Sequence, residues 1–168
     1  MPIDPIEYVE KLHATVDELV APLENQHRER LQCRRGCSDC CTDGLTVFAV
    51  EAEVIRRHHA VLLEEGLAAA PGGCAFLDDA GACRIYPHRP YVCRTQGLPL
   101  RWAEEDGDEV VERRDICPLN ADGPSLATLP AEAMWTLGPV ERRLAAAQAR
   151  YGDSETRVPL RALFRTSA

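Results

Sequence analysis

The stretch Cys33-Arg34-Arg35-Gly36-Cys37-Ser38-Asp39-Cys40-Cys41 determines how the centre of this chain folds. Glycine, serine and aspartate lie between the cysteines, and these residue types favour turns over helices and strands. The two-residue gap between Cys37 and Cys40 is typical of a pair of thiolates that bind one metal ion. We therefore predict an irregular metal-binding loop.

The adjacency of Cys40 and Cys41 carries separate information. Neighbouring side chains of an extended backbone point to opposite sides, so these two thiolates cannot easily bind one tetrahedral ion. Their adjacency favours two metal centres or a polynuclear cluster.

Four more cysteines are widely spaced, so that they can converge only through the fold: Cys74, Cys83, Cys93 and Cys117. A small hairpin with arms 74–77 and 82–85 would make Cys74 and Cys83 cross-strand neighbours. Eight thiolates would complete either two four-thiolate sites or one cluster and one structural ion.

Size and charge limit the possible functions. A chain of 168 residues is long enough for one domain, and we assign 1–152 to a single metal-binding domain and 153–168 to a loosely ordered tail. The net charge of −8 argues against nucleic-acid binding.

No segment approaches the roughly 18 apolar residues of a membrane span, and the acidic N-terminus does not have the pattern of a secretory leader. We expect a cytoplasmic protein, in which closely spaced cysteines are more often metal ligands than disulfides.

Apolar periodicity predicts a mainly α fold with short β-hairpins, in which helices surround the irregular cysteine-rich centre. A first helix should begin after Asp4, and Pro22 should split it from a second piece over 23–31. Further helices are predicted over 51–65, 130–137 and 139–151. An extended stretch is predicted over 45–50, and a second hairpin should have arms 98–103 and 109–113.

Further stretches of the chain carry a family resemblance. Glu51 opens a predicted helix, and Cys74-Ala75-Phe76-Leu77 and Cys83-Arg84-Ile85-Tyr86-Pro87-His88-Arg89-Pro90-Tyr91-Val92-Cys93-Arg94 follow. With the cysteine loop, these stretches resemble the YkgJ family of cysteine-cluster proteins, the zinc- or iron-chelating CxxCxxCC domain, over about 33–120. The first gap of this chain has three residues where the family motif has two.

The resemblance implies that cysteine thiolates chelate zinc or iron, as single ions or as a [4Fe-4S] cluster. Metal ions are thus the predicted partners. The predicted ligands are Cys33, Cys37, Cys40, Cys41, Cys74, Cys83, Cys93 and Cys117.

Arg89 and Arg94 are predicted to bind the cofactor. A guanidinium beside thiolates would lower their pKa, screen the charge of a cluster or hold a substrate carboxylate; an ordinary salt bridge is the alternative. His58, His59 and His88 are weaker ligand candidates, because an isolated histidine is more often a surface or core residue.

The residues leave the physiological role open. One alternative is an iron-sulfur enzyme with redox or S-adenosylmethionine-dependent chemistry, since Cys33, Cys37 and Cys40 have the spacing of radical enzymes of that class. A similar cysteine cluster also occurs in a flagellin lysine methylase. Asp39, however, stands where those radical enzymes commonly have an aromatic residue. Another alternative is a zinc-stabilised protein-interaction module. A thiol oxidoreductase using Cys37 and Cys40 lacks the expected strand and helix context, and no catalytic residue is predicted.

Overall fold

The first helix, α1, spans Pro5–Gln26 in a computed structural model that describes residues 3–153 and 156–164. The prediction that Pro22 splits this helix is wrong, because α1 continues through it. Buried Val20 and half-buried Leu23 pack on the same core on either side of Pro22. This packing compensates for the backbone hydrogen bond that proline cannot make. Turns over 27–30 replace the expected second piece.

The second helix, α2, spans Ala49–Glu65 and directly follows the strand β1, Thr46–Phe48. As predicted, it ends before Gly66. The backbone of His59 leaves the helical region, at φ −130° and ψ 29°, so α2 is kinked there.

The hairpin predicted near Gly107 is confirmed. Strands β2, Leu100–Asp106, and β3, Glu109–Asp115, pair antiparallel, and Gly107 makes the turn with a left-handed φ of +66°. The earlier hairpin is reduced to one isolated bridge, in which Cys83 pairs with Leu77. The predicted cross-strand pairing of Cys83 with Cys74 is therefore wrong in register.

The predicted helix over 130–137 is also wrong. A 3₁₀ turn, Ala131–Ala133, leads there into the strand β4, Trp135–Thr136, which pairs parallel with β2. The buried Trp135 ring donates from Nε1 to the hydroxyl of Tyr91 over 2.8 Å. Its backbone N–H donates to the carbonyl of Pro99 at the same distance of 2.8 Å. These tertiary bonds favour the extended backbone over a helix.

The last helix, α4, spans Pro139–Tyr151 as predicted and packs against α1. Beyond it, the strand β5, Arg157–Pro159, pairs antiparallel with β1, and Leu160–Leu163 forms a 3₁₀ turn. Leu160, Leu163 and Phe164 are buried. Residues 157–164 thus belong to the packed fold where a loosely ordered tail was expected; 154–155 and 165–168 lie outside the described residues.

Two hydrophobic cores lie on opposite faces of α2. The first contains apolar residues of α1, α2 and α4 together with Tyr91 and Trp135. Tyr91 belongs to a short helix, α3, Tyr91–Arg94. The second core is built around Phe76 and also contains Val47, Ile85, Leu160 and Phe164; Cys74 and Cys83 pack against it. The cysteine-rich centre therefore packs against the second hydrophobic core through Cys74 and Cys83. The predicted fold class, mainly α with short β-hairpins, is confirmed.

Among the helices of residues 3–153 and 156–164, none combines the length and the apolar character that crossing a membrane would require.

Candidate metal centre

The cysteine loop, residues 33–41, is irregular as predicted and is built from tight turns. The backbone N–H of Cys37 donates to the carbonyl of Arg34 over 2.9 Å, and that of Cys41 to Ser38 over 2.8 Å. Gly36 has a φ of +88°, and a Cβ atom there would lie 3.3 Å from the carbonyl oxygen of Ala80. Glycine at this position lets the loop dock against the turn of residues 78–81.

The other cysteines reach the loop through backbone contacts and the corner of residues 86–94. The N–H of Cys74 donates to the carbonyl of Cys41 over 2.8 Å, which joins the two segments directly. Cys93 lies on α3, and its carbonyl oxygen accepts from Nε of Arg89 at 3.4 Å. This corner, which carries Cys93, is thus stabilised by its own arginine.

The thiols fall into two electrostatic groups. The Cys33 group contains Cys33, Cys37 and Cys117, because the latter two act electrostatically on the first. The Cys93 group contains Cys41, Cys74, Cys83 and Cys93: the charge of Cys74 acts on the other three, and that of Cys83 also acts on Cys93. Cys40 acts on members of both groups. The fold therefore brings all eight predicted ligands within electrostatic reach of at least one other thiol.

Burial makes four of these thiols harder to deprotonate in the metal-free protein. It raises the pKa of Cys33, Cys74 and Cys83, and it raises the pKa of Cys93 to about 12, helped by the charges of Cys74 and Cys83. Metal binding must therefore displace protons, as for any thiolate ligand.

Cys40 and Cys41 behave as a coupled pair. The thiol of Cys41 donates a hydrogen bond to the sulfur of Cys40, which lowers the pKa of Cys40 and raises that of Cys41. Cys40 is also one of the exposed thiols. It is therefore the most readily available thiolate for an incoming ion.

Asn120 is a functional candidate that the sequence did not identify. It is completely buried, and its Nδ2 donates to Sγ of Cys33 at 3.4 Å and to the carbonyl of Gly97 at 2.9 Å. Its Oδ1 accepts from the backbone N–H of Gln32 at 2.7 Å. Proximity to Cys117 was the one available signal, because these contacts join segments far apart in the chain.

Replacing Asn120 with alanine is expected to destabilise the protein by about 1–3 kcal/mol, because the backbone groups of Gln32 and Gly97 lose their partner in a buried environment. Urea unfolding measures this difference. The matched control is Asn25→Ala, at an exposed position of α1, for which a change below about 0.5 kcal/mol is expected. Equal stability of both variants would contradict a positioning role for Asn120.

Arg89 and Arg94 are engaged by the corner itself. Arg94 is buried, forms an ion pair with Asp17 and donates to the carbonyl of Pro87 over 3.1 Å. Arg89 donates to the carbonyl of Tyr86 over 2.9 Å and lies over the Tyr86 ring. The salt-bridge alternative therefore describes both arginines, because Nη2 of Arg89 also lies 3.6 Å from Oδ1 of Asp17. The charge of Arg89 in addition favours the thiolate of Cys83. Cofactor binding by either arginine remains a prediction.

The donor chemistry of the site fits zinc and iron, because clustered thiolates are the soft ligands that both metals accept. Within 3–153 and 156–164, no three His, Cys, Asp or Glu side chains are arranged to hold one ion as they stand. Coordination therefore requires the thiols of a group to turn towards a common point. The rings of His58 and His59 both contact His88.

A comparison with known families identifies the cysteine-rich segment. A model named CxxCxxCC, described as a "putative zinc- or iron-chelating domain", matches residues 32–118, just over half of the chain. No curated protein and no solved structure matches the chain. The matched segment contains every cysteine of the sequence. The chain therefore belongs to the CxxCxxCC family of zinc- or iron-chelating domains.

Proposed function

We propose that the protein binds zinc or iron at two neighbouring centres. The Cys93 group would hold one centre, and the Cys33 group together with Cys40 would hold the other. The observation that carries this proposal is a pair of contacts that join distant cysteine segments. The N–H of Cys74 donates to the carbonyl of Cys41 over 2.8 Å, and Asn120, whose N–H donates to the carbonyl of Cys117, donates from Nδ2 to Sγ of Cys33 at 3.4 Å. Each centre would then have four thiolates, the number that closes a structural zinc site or holds a [4Fe-4S] cluster.

The division accounts for the adjacent pair of cysteines. Cys41 is tied to Cys74 by a backbone hydrogen bond of 2.8 Å, so it belongs with the Cys93 group. Cys40, exposed and with a lowered pKa, is free to serve the Cys33 group. On metal binding the hydrogen bond between Cys41 and Cys40 would be lost, and each of the two thiolates would serve a different centre.

The test is elemental analysis of protein purified without oxygen, with zinc, iron and acid-labile sulfide counted per chain and a visible spectrum recorded. Two zinc ions per chain in a colourless protein, or two iron ions per chain, would support two centres. A brown protein with as much acid-labile sulfide as iron would contain an iron-sulfur cluster. That result would favour the alternative of an iron-sulfur enzyme. Less than about 0.1 metal per chain, after reconstitution with either metal, would contradict chelation as the function, because thiolate sites bind these metals tightly.

A further inference from the structure

Arg161 joins the two chain segments that carry Cys41 and Cys74. Its Nε donates to Oδ1 of Asp43, which lies two residues after Cys41, at 2.8 Å. Its other nitrogens donate to carbonyl oxygens of the loop that directly precedes Cys74, those of Ala69 at 2.6 Å, Ala70 at 3.3 Å and Gly73 at 2.9 Å. One side chain therefore holds the backbone on both sides of the contact between these two predicted ligands.

Asp43 extends this connection. Its Oδ2 accepts from the backbone N–H of Gly72 at 3.1 Å, and its Oδ1 accepts from that of Gly44 at 3.0 Å. The N–H of Cys74 donates in turn to the carbonyl of Cys41 over 2.8 Å. These bonds hold the two backbones together and leave the thiols free to rotate, so both thiols can turn towards one ion without a movement of the chain.

Arg30 makes an equivalent set of contacts at the Cys33 group. It is buried, and its guanidinium donates to carbonyl oxygens of the turn after Cys117, those of Asn120 at 2.9 Å, Ala121 at 3.2 Å and Pro124 at 3.2 Å. The backbone N–H of Asn120 donates to the carbonyl of Cys117, and its side chain donates to Sγ of Cys33. Arg30 therefore holds the residue that joins Cys33 to Cys117.

Both arginines lie outside the segment 32–118 that matches the family model. Arginine suits these positions because its planar guanidinium presents five N–H donors in a fixed fork, whereas lysine ends in one flexible ammonium group. Residues that orient metal ligands without touching the metal typically change the metal affinity by about 10–100-fold when they are replaced. Since each arginine contacts the segments of one thiol group, each should affect one centre.

We propose that Arg161 and Arg30 are positioning residues for the two metal centres, Arg161 for the Cys93 group and Arg30 for the Cys33 group. This inference rests on the proposed function. It extends the metal-binding unit beyond the family segment on both sides, and it gives each centre a residue on which its own affinity depends.

The test is chelator competition on the full-length chain loaded with ¹¹³Cd²⁺, which binds thiolates as zinc does and gives each centre its own NMR resonance. Cys93→Ser assigns the resonances, because it should remove that of the Cys93 group. We expect Arg161→Lys to weaken cadmium binding by the Cys93 group about tenfold and to leave the other centre unchanged. Arg30→Lys should have the reverse selectivity. Lysine keeps the positive charge that acts on Cys74, so the loss measures the contribution of the hydrogen bonds.

Arg157→Lys is the matched control for the C-terminal segment. Arg157 is exposed on β5 and lies over the ring of Phe48, and its variant should bind cadmium at both centres like the parent. Parent-like affinity in Arg161→Lys or Arg30→Lys would overturn the role of that arginine. Equal weakening of both centres by one variant, or the same loss in Arg157→Lys, would show a general loss of stability and overturn the proposal. A parent chain that binds no cadmium would overturn the proposed function itself, which distinguishes the two failures.

Discussion

Replacing Cys93 with serine is expected to remove the metal of the Cys93 group and to weaken its binding by at least about 100-fold. The charges of Cys74 and Cys83 act on Cys93, so it lies among the thiols that would share one centre. A serine hydroxyl is a much poorer ligand than a thiolate for zinc or iron. Because metal binding at such sites is also folding free energy, the variant should lose several kcal/mol of stability.

Metal content per chain and competition with a chelator measure this effect. The matched variant is Cys33→Ser, in the other group. If each serine variant loses about half of the metal, the thiols serve two separate centres. If either one loses all of it, the thiols form one polynuclear cluster. A Cys93→Ser protein that keeps its full metal content and stability would contradict the role assigned to Cys93.

The parts of the fold that the sequence predicted correctly depend on local patterns. The cysteine loop is irregular because turn formers separate its cysteines, and α4 ends at Tyr151 as its apolar spacing indicated. The hairpin of β2 and β3 is fixed by the Asp106-Gly107 turn. In each case neighbouring residues contain the information.

The errors arise where distant contacts outweigh local preference. Residues 130–137 favour a helix locally, yet Trp135 is extended because it bonds to Tyr91 and Pro99. The expected tail forms a strand because β1 offers an edge to β5. Pro22 was expected to interrupt α1, but the helix continues through it because residues on both sides of Pro22 pack on the core. None of these partners is visible from the local sequence.

The residues of the candidate site also differ in whether local sequence or distant contacts identify them. Residue type and spacing alone make the cysteines candidate ligands, and that assignment stays a prediction. Asn120 and His13 could not, because their importance depends on bonds to Cys33 and Glu51, which lie far away in the chain. A polar residue that becomes significant through burial gives no periodic signal.

Glu51 is expected to be the most costly single residue to replace outside the cysteines. Its buried carboxylate, 4% exposed, accepts from the N–H groups of Phe48 and Tyr91 and contacts His13. It thereby joins α2 to α1 and to α3, which carries Cys93. Glu51→Leu would leave these donors buried and unpaired, and a loss of about 3–5 kcal/mol in the free energy of unfolding is expected.

Glu51→Gln tests the hydrogen bonding separately from the volume. Glutamine keeps the size and one acceptor oxygen, but its amide N–H₂ faces donors, so an intermediate loss of about 1–3 kcal/mol is expected. Glu65→Leu, at the exposed end of α2, should change stability by less than about 0.5 kcal/mol. Urea unfolding of the metal-free and metal-loaded forms distinguishes a scaffold effect from a ligand effect. If Glu51→Leu unfolds within about 1 kcal/mol of the parent, this carboxylate does not hold α1, α2 and α3 together, since unpaired buried donors cost at least that much.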